Sequence, residues 1–250
     1  MTETIGFIGS GMIGGSLARL AVAAGLDVVM SNSRGPETLA EVVGELGEHA
    51  RAATPAEAAQ AGDLVVATIP LKAYTALPAK ALRGKTVIDT MNYYNDRDAA
   101  LPQLDSGDLT SSAMVQQHLA DSRVVKACNN IVFHHLLTLA RPSHSPERSA
   151  LPIASDSHEA KEQVAQFLNV LGYDTVDVGT LSDSWRSQAN TPVYCKPYMP
   201  EITKGMSMDD TAAWIFESPG VPAPASKIKA LVESAVPVNT GGSFEFFAAG

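Results

Sequence analysis

Gly9, Gly11 and Gly14 stand in the order Gly9-Ser10-Gly11-Met12-Ile13-Gly14, a spacing that suits the binding of a phosphate chain. They follow the apolar run Ile5-Gly6-Phe7-Ile8 and precede an apolar, helix-like stretch from Gly15 to Ala24 that stops at Gly25. Where a strand turns into a helix, the first glycine allows the tight turn. The second lets the backbone approach a pyrophosphate, and the third lets the helix lie close on the strand. The helix's unpaired N–H groups then face the phosphates. The motif predicts a dinucleotide site formed by Gly9, Ser10, Gly11, Met12 and Ile13.

Which dinucleotide is read at the end of the second apolar run, Leu26-Asp27-Val28-Val29-Met30. A site for NAD usually places a carboxylate there, accepting from the ribose hydroxyls. This chain reads Ser31-Asn32-Ser33-Arg34, with no carboxylate until Glu37, and Asp27 lies at the wrong end of the strand. Hydroxyls and a guanidinium can donate to a 2′-phosphate that a carboxylate would repel. Ser31, Asn32, Ser33 and Arg34 therefore predict NADP(H), the competing reading being an ordinary polar turn.

In an open parallel sheet, ligands gather beyond the carboxyl ends of the strands. That rule nominates Thr68-Ile69-Pro70, Asn92-Tyr93 and Asn129, together with the histidine pair His134-His135. Thr68, Ile69, Pro70 and Asn92 are expected beside the cofactor. Asn92, Tyr93, Asn129 and His134 are the candidates for orienting an acceptor or moving a proton. The plainer reading of the histidines is that they cap or coat a helix. Six histidines without ligand spacing predict no metal site. A G-x-S-x-G elbow, a Walker motif and a Tyr-x-x-x-Lys pair are all missing.

The elements that must carry these residues alternate between strand and helix. Asp63–Pro70, Lys85–Thr90, Arg123–Cys128, Leu151–Ala154 and Tyr173–Val178 read as buried strands, and Pro36–Gly47, Pro55–Ala61 (capped by Thr54) and Ser157–Leu171 as helices. The expected fold is α/β: a Rossmann-type doubly wound parallel sheet over residues 1–190 with a small α-rich extension over 191–250. In the extension, prolines crowd around two helical pieces, Met208–Glu217 and Ser226–Ala235, before Phe244, Phe246 and Phe247. Those rings must be buried on the main domain, on a second subunit or over the active site, core packing being the default, and a homodimer is the expected oligomeric state.

A chain of 250 residues, 45% of them apolar, can build one large core. Its net charge of −9 argues against nucleic acid or an anionic membrane as the main partner, and the expected partner is a small-molecule substrate. No apolar run nears the ~20 residues of a membrane span, and no signal peptide precedes the first strand. The two cysteines, Cys128 and Cys195, are not in a C-x-x-C pair, so a cytoplasmic protein with free thiols is expected.

From residue 4 to about 194 the chain resembles the NADP oxidoreductases that use the deazaflavin coenzyme F-420. The matching stretches are Gly9–Gly14, Ser31–Arg34, Thr68–Pro70, Val124–Ala127, Leu151–Asp156 and Asp177–Ser184. The resemblance implies that Gly9, Gly11, Met12 and Ile13 line the pyrophosphate. It places Ser31, Ser33 and Arg34 at the 2′-phosphate, and Ile69 and Pro70 beside the nicotinamide. Asn129 stands where the family's characterised members have a histidine, and Trp185 where they have an arginine. Three readings stay open: NADPH-dependent reduction of a small organic acceptor with a C=N or C=O group, hydride exchange with the deazaflavin, and a non-catalytic NADP(H) sensor.

Overall fold

The computed structural model describes residues 3–201 and 207–237. Among them, the strands β1 (Thr4–Ile8), β2 (Asp27–Ser31), β3 (Ala50–Ala52), β4 (Leu64–Ala67), β5 (Thr86–Asp89), β6 (Arg123–Lys126), β7 (Ala150–Ala154) and β8 (Asp174–Gly179) form one sheet. Its order is β3-β2-β1-β4-β5-β6-β7-β8. The first six strands are parallel, and the order reverses between β1 and β4, where Ile8 lies opposite Ala67. This is the switch point at which a doubly wound sheet opens a crevice.

Alternation along the central strands divides the apolar side chains between two cores. Phe7, Val66, Ile88 and Val125 face one layer, while Ile8, Val65, Val87 and Val124 face the other. Burial on both faces explains why β4 reads Leu-Val-Val-Ala with no polar position. The helix α1 (Met12–Ala23) begins earlier than the apolar pattern suggests, because Gly11 takes an extended N-cap conformation directly after the turn. The stretch 36–47 divides into a 3-10 turn, Pro36–Leu39, and α2 (Ala40–Leu46). α3 (Pro55–Ala61) starts at the expected Thr54, whose hydroxyl accepts from Glu57 N at 3.3 Å while Glu57 accepts from Thr54 N at 2.9 Å.

One expectation about strand direction changes. β7 runs antiparallel to β6 and meets it only at Lys126–Ala154, and β8 runs parallel to β7. In that register β7 extends past the carboxyl end of β6, beside residues 127–130. The chain between β6 and β7 holds only the short helix Phe133–Thr138, about 9 Å long. It does not carry the chain back along the sheet as a βαβ crossover does.

The extension is sewn onto this projecting edge. The Tyr198 hydroxyl donates to Ala150 O at 2.8 Å and accepts from Asn130 Nδ2 at 3.2 Å, and Ala150 N donates to Ala223 O at 2.8 Å. Helices Met208–Glu217 and Ala225–Ser234 appear where the pattern places them, the second burying Ile228 and Val232. Phe244, Phe246 and Phe247, on which the expected dimer rests, lie outside the described residues. Among the described residues, no helix is long and apolar enough to cross a membrane.

Candidate active site

The three glycines of the motif differ in the space around them. Gly9 has φ +113°, and a Cβ there would lie 2.2 Å from the Thr68 carbonyl oxygen. At Gly14 a Cβ would come within 2.6 Å of both Gly9 O and Thr68 Cγ2. Both positions are closed to larger residues by the protein's own packing. Gly11 differs, since a Cβ built on it meets nothing within 4 Å. Its side-chain space opens outward at the N-terminus of α1, where no side chain caps the helix and no acidic residue occupies the first turn. An open space in front of unpaired N–H groups fits a pyrophosphate.

The tip of β2 is organised by Asn32. Its Oδ1 accepts from Arg34 N at 2.9 Å and Gly35 N at 3.0 Å, and its Nδ2 donates to Thr38 Oγ1 at 2.9 Å. This Asx-type turn leaves Ser33 and Arg34 exposed, and Arg34 forms no ion pair among the described residues. Two of the four residues expected to bind the 2′-phosphate need correction. Ser31 is fully buried and its hydroxyl donates to Phe7 O at 2.7 Å, so it faces the sheet. Asn32 shapes the turn from within. Ser33 and Arg34 are the groups free to meet a phosphate.

Beyond the carboxyl ends of β5 and β6 lies a cleft of about 180 Å³, lined by Met12, Ile13, Thr90, Asn92, Tyr94 and Asn129 among others. Its far wall is Tyr194 and Cys195 of the extension. Asn92 and Asn129, expected as catalytic groups, are brought together and hold each other. Asn92 Nδ2 donates to Asn129 O at 2.8 Å, and Asn129 Nδ2 donates to Asn92 Oδ1 at 3.0 Å and Ser187 O at 2.8 Å. Asn129 thereby ties β6 to the 3-10 segment Leu181–Ser187, and its amide protons are already engaged.

Tyr93 points away from this cleft. Its hydroxyl donates to Asp105 Oδ1 at 2.8 Å and accepts from Leu101 N at 2.9 Å, which anchors the following loop. Tyr94 takes the place expected of it. The Tyr94 and Tyr194 hydroxyls are hydrogen-bonded to each other across the cleft wall. Burial pushes the Tyr94 phenol up to about 12 and Tyr194 well above its ordinary value, so both keep their protons at neutral pH.

His134 does not line the cleft. His135 is fully buried, and burial followed by the neighbouring His134 holds its pKa below the usual range. That direction favours the neutral imidazole of His135, and neither histidine lines the cleft. Cys128 and Cys195 both line the cleft, with burial raising each thiol to about 12, and they are inert by that measure. Thr68 and Ile69 are half-buried at the crevice mouth and Pro70 is exposed. The signals missed in the sequence are Tyr94, Tyr194 and Cys195. The last two lie in a segment with no periodicity to place it.

The family described as NADP oxidoreductase, coenzyme F420-dependent, matches residues 4–93. No curated protein matches the chain. Among solved structures, a hypothetical protein from Sinorhizobium meliloti is 28% identical with a TM-score of 0.66, over 78% of this chain and 93% of that one. A candidate F420-dependent NADP reductase from Arthrobacter sp. FB24 is 21% identical with a TM-score of 0.61, over 73% and 86% of the two chains. An imine reductase from Pseudomonas sp. is 18% identical with a TM-score of 0.51, over 74% of this chain and 58% of that one. The glycine cradle and the β2 turn both lie within the matched residues, which are about a third of the chain.

Proposed function

We propose that this chain is an NADP(H)-dependent oxidoreductase that passes hydride from nicotinamide C4 to a small organic acceptor carrying a C=N or C=O group. The observation that carries this reading is that two spaces meet the same helix start. The open position at Gly11 is followed directly by Met12 and Ile13, which line a cleft that Tyr194 and Cys195 also line. When bound, the nicotinamide supplies the hydride and the residues supply position. N–H groups at the start of α1 hold the pyrophosphate, and Ser33 and Arg34 hold the 2′-phosphate. The Asn92–Asn129 pair fixes the cleft floor, and apolar side chains such as Ile131 and Val132 exclude water.

The family match over residues 4–93 favours a second reading, in which the acceptor is the deazaflavin coenzyme. NADPH oxidation followed by absorbance, with the deazaflavin and a cyclic imine in parallel, separates the two. Turnover of the imine without deazaflavin supports the first reading; turnover of the deazaflavin alone replaces it with the second. Binding without any turnover leaves a sensor. Arg34→Ala should weaken NADPH by about 10- to 100-fold and NADH by less than about twofold, because charge-assisted bonds to the 2′-phosphate are lost only with NADPH. Calorimetric titration of both nucleotides checks this, and equal losses would remove Arg34 from the phosphate site.

A further inference from the structure

We propose that the hydrogen-bonded hydroxyls of Tyr94 and Tyr194 form the proton donor of this site and fit it to carbonyl acceptors. The inference rests on the oxidoreductase reading above. The two residues come from distant parts of the chain, the turn after β5 and the extension, and meet at the wall of the cleft. Tyr94 is held from several directions. Its N–H donates to Asp98 Oδ2 at 3.0 Å, and the Arg97 guanidinium lies 4.7 Å from its ring centroid while donating to Asn92 O at 2.8 Å. A ring fixed in this way can present its hydroxyl without first losing rotational freedom. Its environment is apolar, with Val132 and Ile215 in the same buried cluster.

The chemistry follows from two phenols in series. As the carbonyl carbon gains the hydride, the C=O π bond breaks and its electron pair moves to oxygen. One tyrosine hydroxyl gives that oxygen its proton, and the second hydroxyl replaces it along the hydrogen bond they share. A solvent proton restores the pair. The acceptor is reduced by two electrons, the nicotinamide is oxidised by two, and one proton is consumed. An alkoxide is a stronger base than a phenolate, so the transfer is downhill even for a phenol raised to about 12. An imine that enters already protonated, as an iminium ion, becomes a neutral amine on gaining hydride and leaves no anion to protonate. A ketone or aldehyde therefore needs the pair, and an iminium ion needs nothing from it.

The test compares a cyclic ketone with an N-methylated cyclic iminium salt, which accepts hydride without a proton. Tyr94→Phe and Tyr194→Phe should each lower kcat/KM for the ketone by about 100-fold or more and for the iminium by less than about threefold. A second readout needs no turnover: isobutyramide, a carbonyl compound that cannot be reduced here, should bind each variant about tenfold more weakly by calorimetry. Equal losses for ketone and iminium, or none for either, would overturn the pair as a donor. A wild-type protein inert to both acceptors would defeat the reading of a small organic acceptor instead. In that case isobutyramide binding unaffected by either substitution would overturn the carbonyl site as well.

Discussion

Gly11→Val should abolish NADPH binding and leave the fold standing. A Cβ at this position meets no protein atom within 4 Å, and Gly11 has φ −73°, which any residue can adopt. Valine is a poorer N-cap than glycine, so stability should fall by about 1 kcal/mol or less. Its branched side chain would fill the space before the first turn of α1, where the pyrophosphate must approach the backbone. NADPH affinity should drop at least about 100-fold, roughly 2.7 kcal/mol. Gly9→Val is the matched control with the opposite outcome. Its Cβ would stand 2.2 Å from Thr68 O at φ +113°, so the turn itself must break. Calorimetry with NADPH and thermal melting of both variants check the pair of expectations. If Gly11→Val still binds within about threefold of wild type, the nucleotide does not lie across the start of α1.

The contrast between these two glycines marks what is legible in the sequence. Gly9 to Gly14 and the β2 turn are local: their roles follow from spacing within a few residues of one strand end. The same holds for the Thr54 cap and for the buried β4 run. Ser31 was misread because β2 is almost wholly buried, so no alternation tells which way its last side chain points. Tyr93 and Tyr94 follow a strand, where period two no longer applies, and a single step decides which ring faces the cleft. The direction of β7 escapes for a similar reason, since Ala-Leu-Pro-Ile-Ala is buried throughout and looks alike in either orientation. The far wall depends on a contact between residues 100 positions apart. Tyr194 reaches it through irregular turns that hydrophobic periodicity cannot position.

Lys126→Met should be strongly destabilising, and most of its effect should vanish when Asp89 is neutralised as well. The Lys126 side chain is 2% exposed and that of Asp89 is fully buried, with Nζ 3.3 Å from Oδ2. Burial depresses the ammonium pKa, while the Asp89 charge pulls it back up. The same Asp89 Oδ2 accepts from Ser112 Oγ at 2.7 Å, and its Oδ1 accepts from Met91 N at 2.8 Å. Lys126 Nζ donates in turn to Met91 O. Lysine and aspartate thus grip both backbone groups of Met91, the residue that sets the path to Asn92 and Tyr94. Methionine keeps the length of the chain but strands a buried carboxylate. Breaking such a pair costs about 3–5 kcal/mol, which lowers the melting temperature of a chain this size by roughly 6–20 °C. In the double variant Lys126→Met/Asp89→Asn, the new amide still accepts from Met91 N and can donate to Ser112, and no buried charge is left alone. Chemical denaturation of the two variants decides the matter. A single variant within about 1 kcal/mol of wild type, or a double variant no better than the single, would mean that the pair does not hold this turn. Where it does hold, the single variant should also lose turnover, because the path from Met91 to Tyr94 is the one the two charges set.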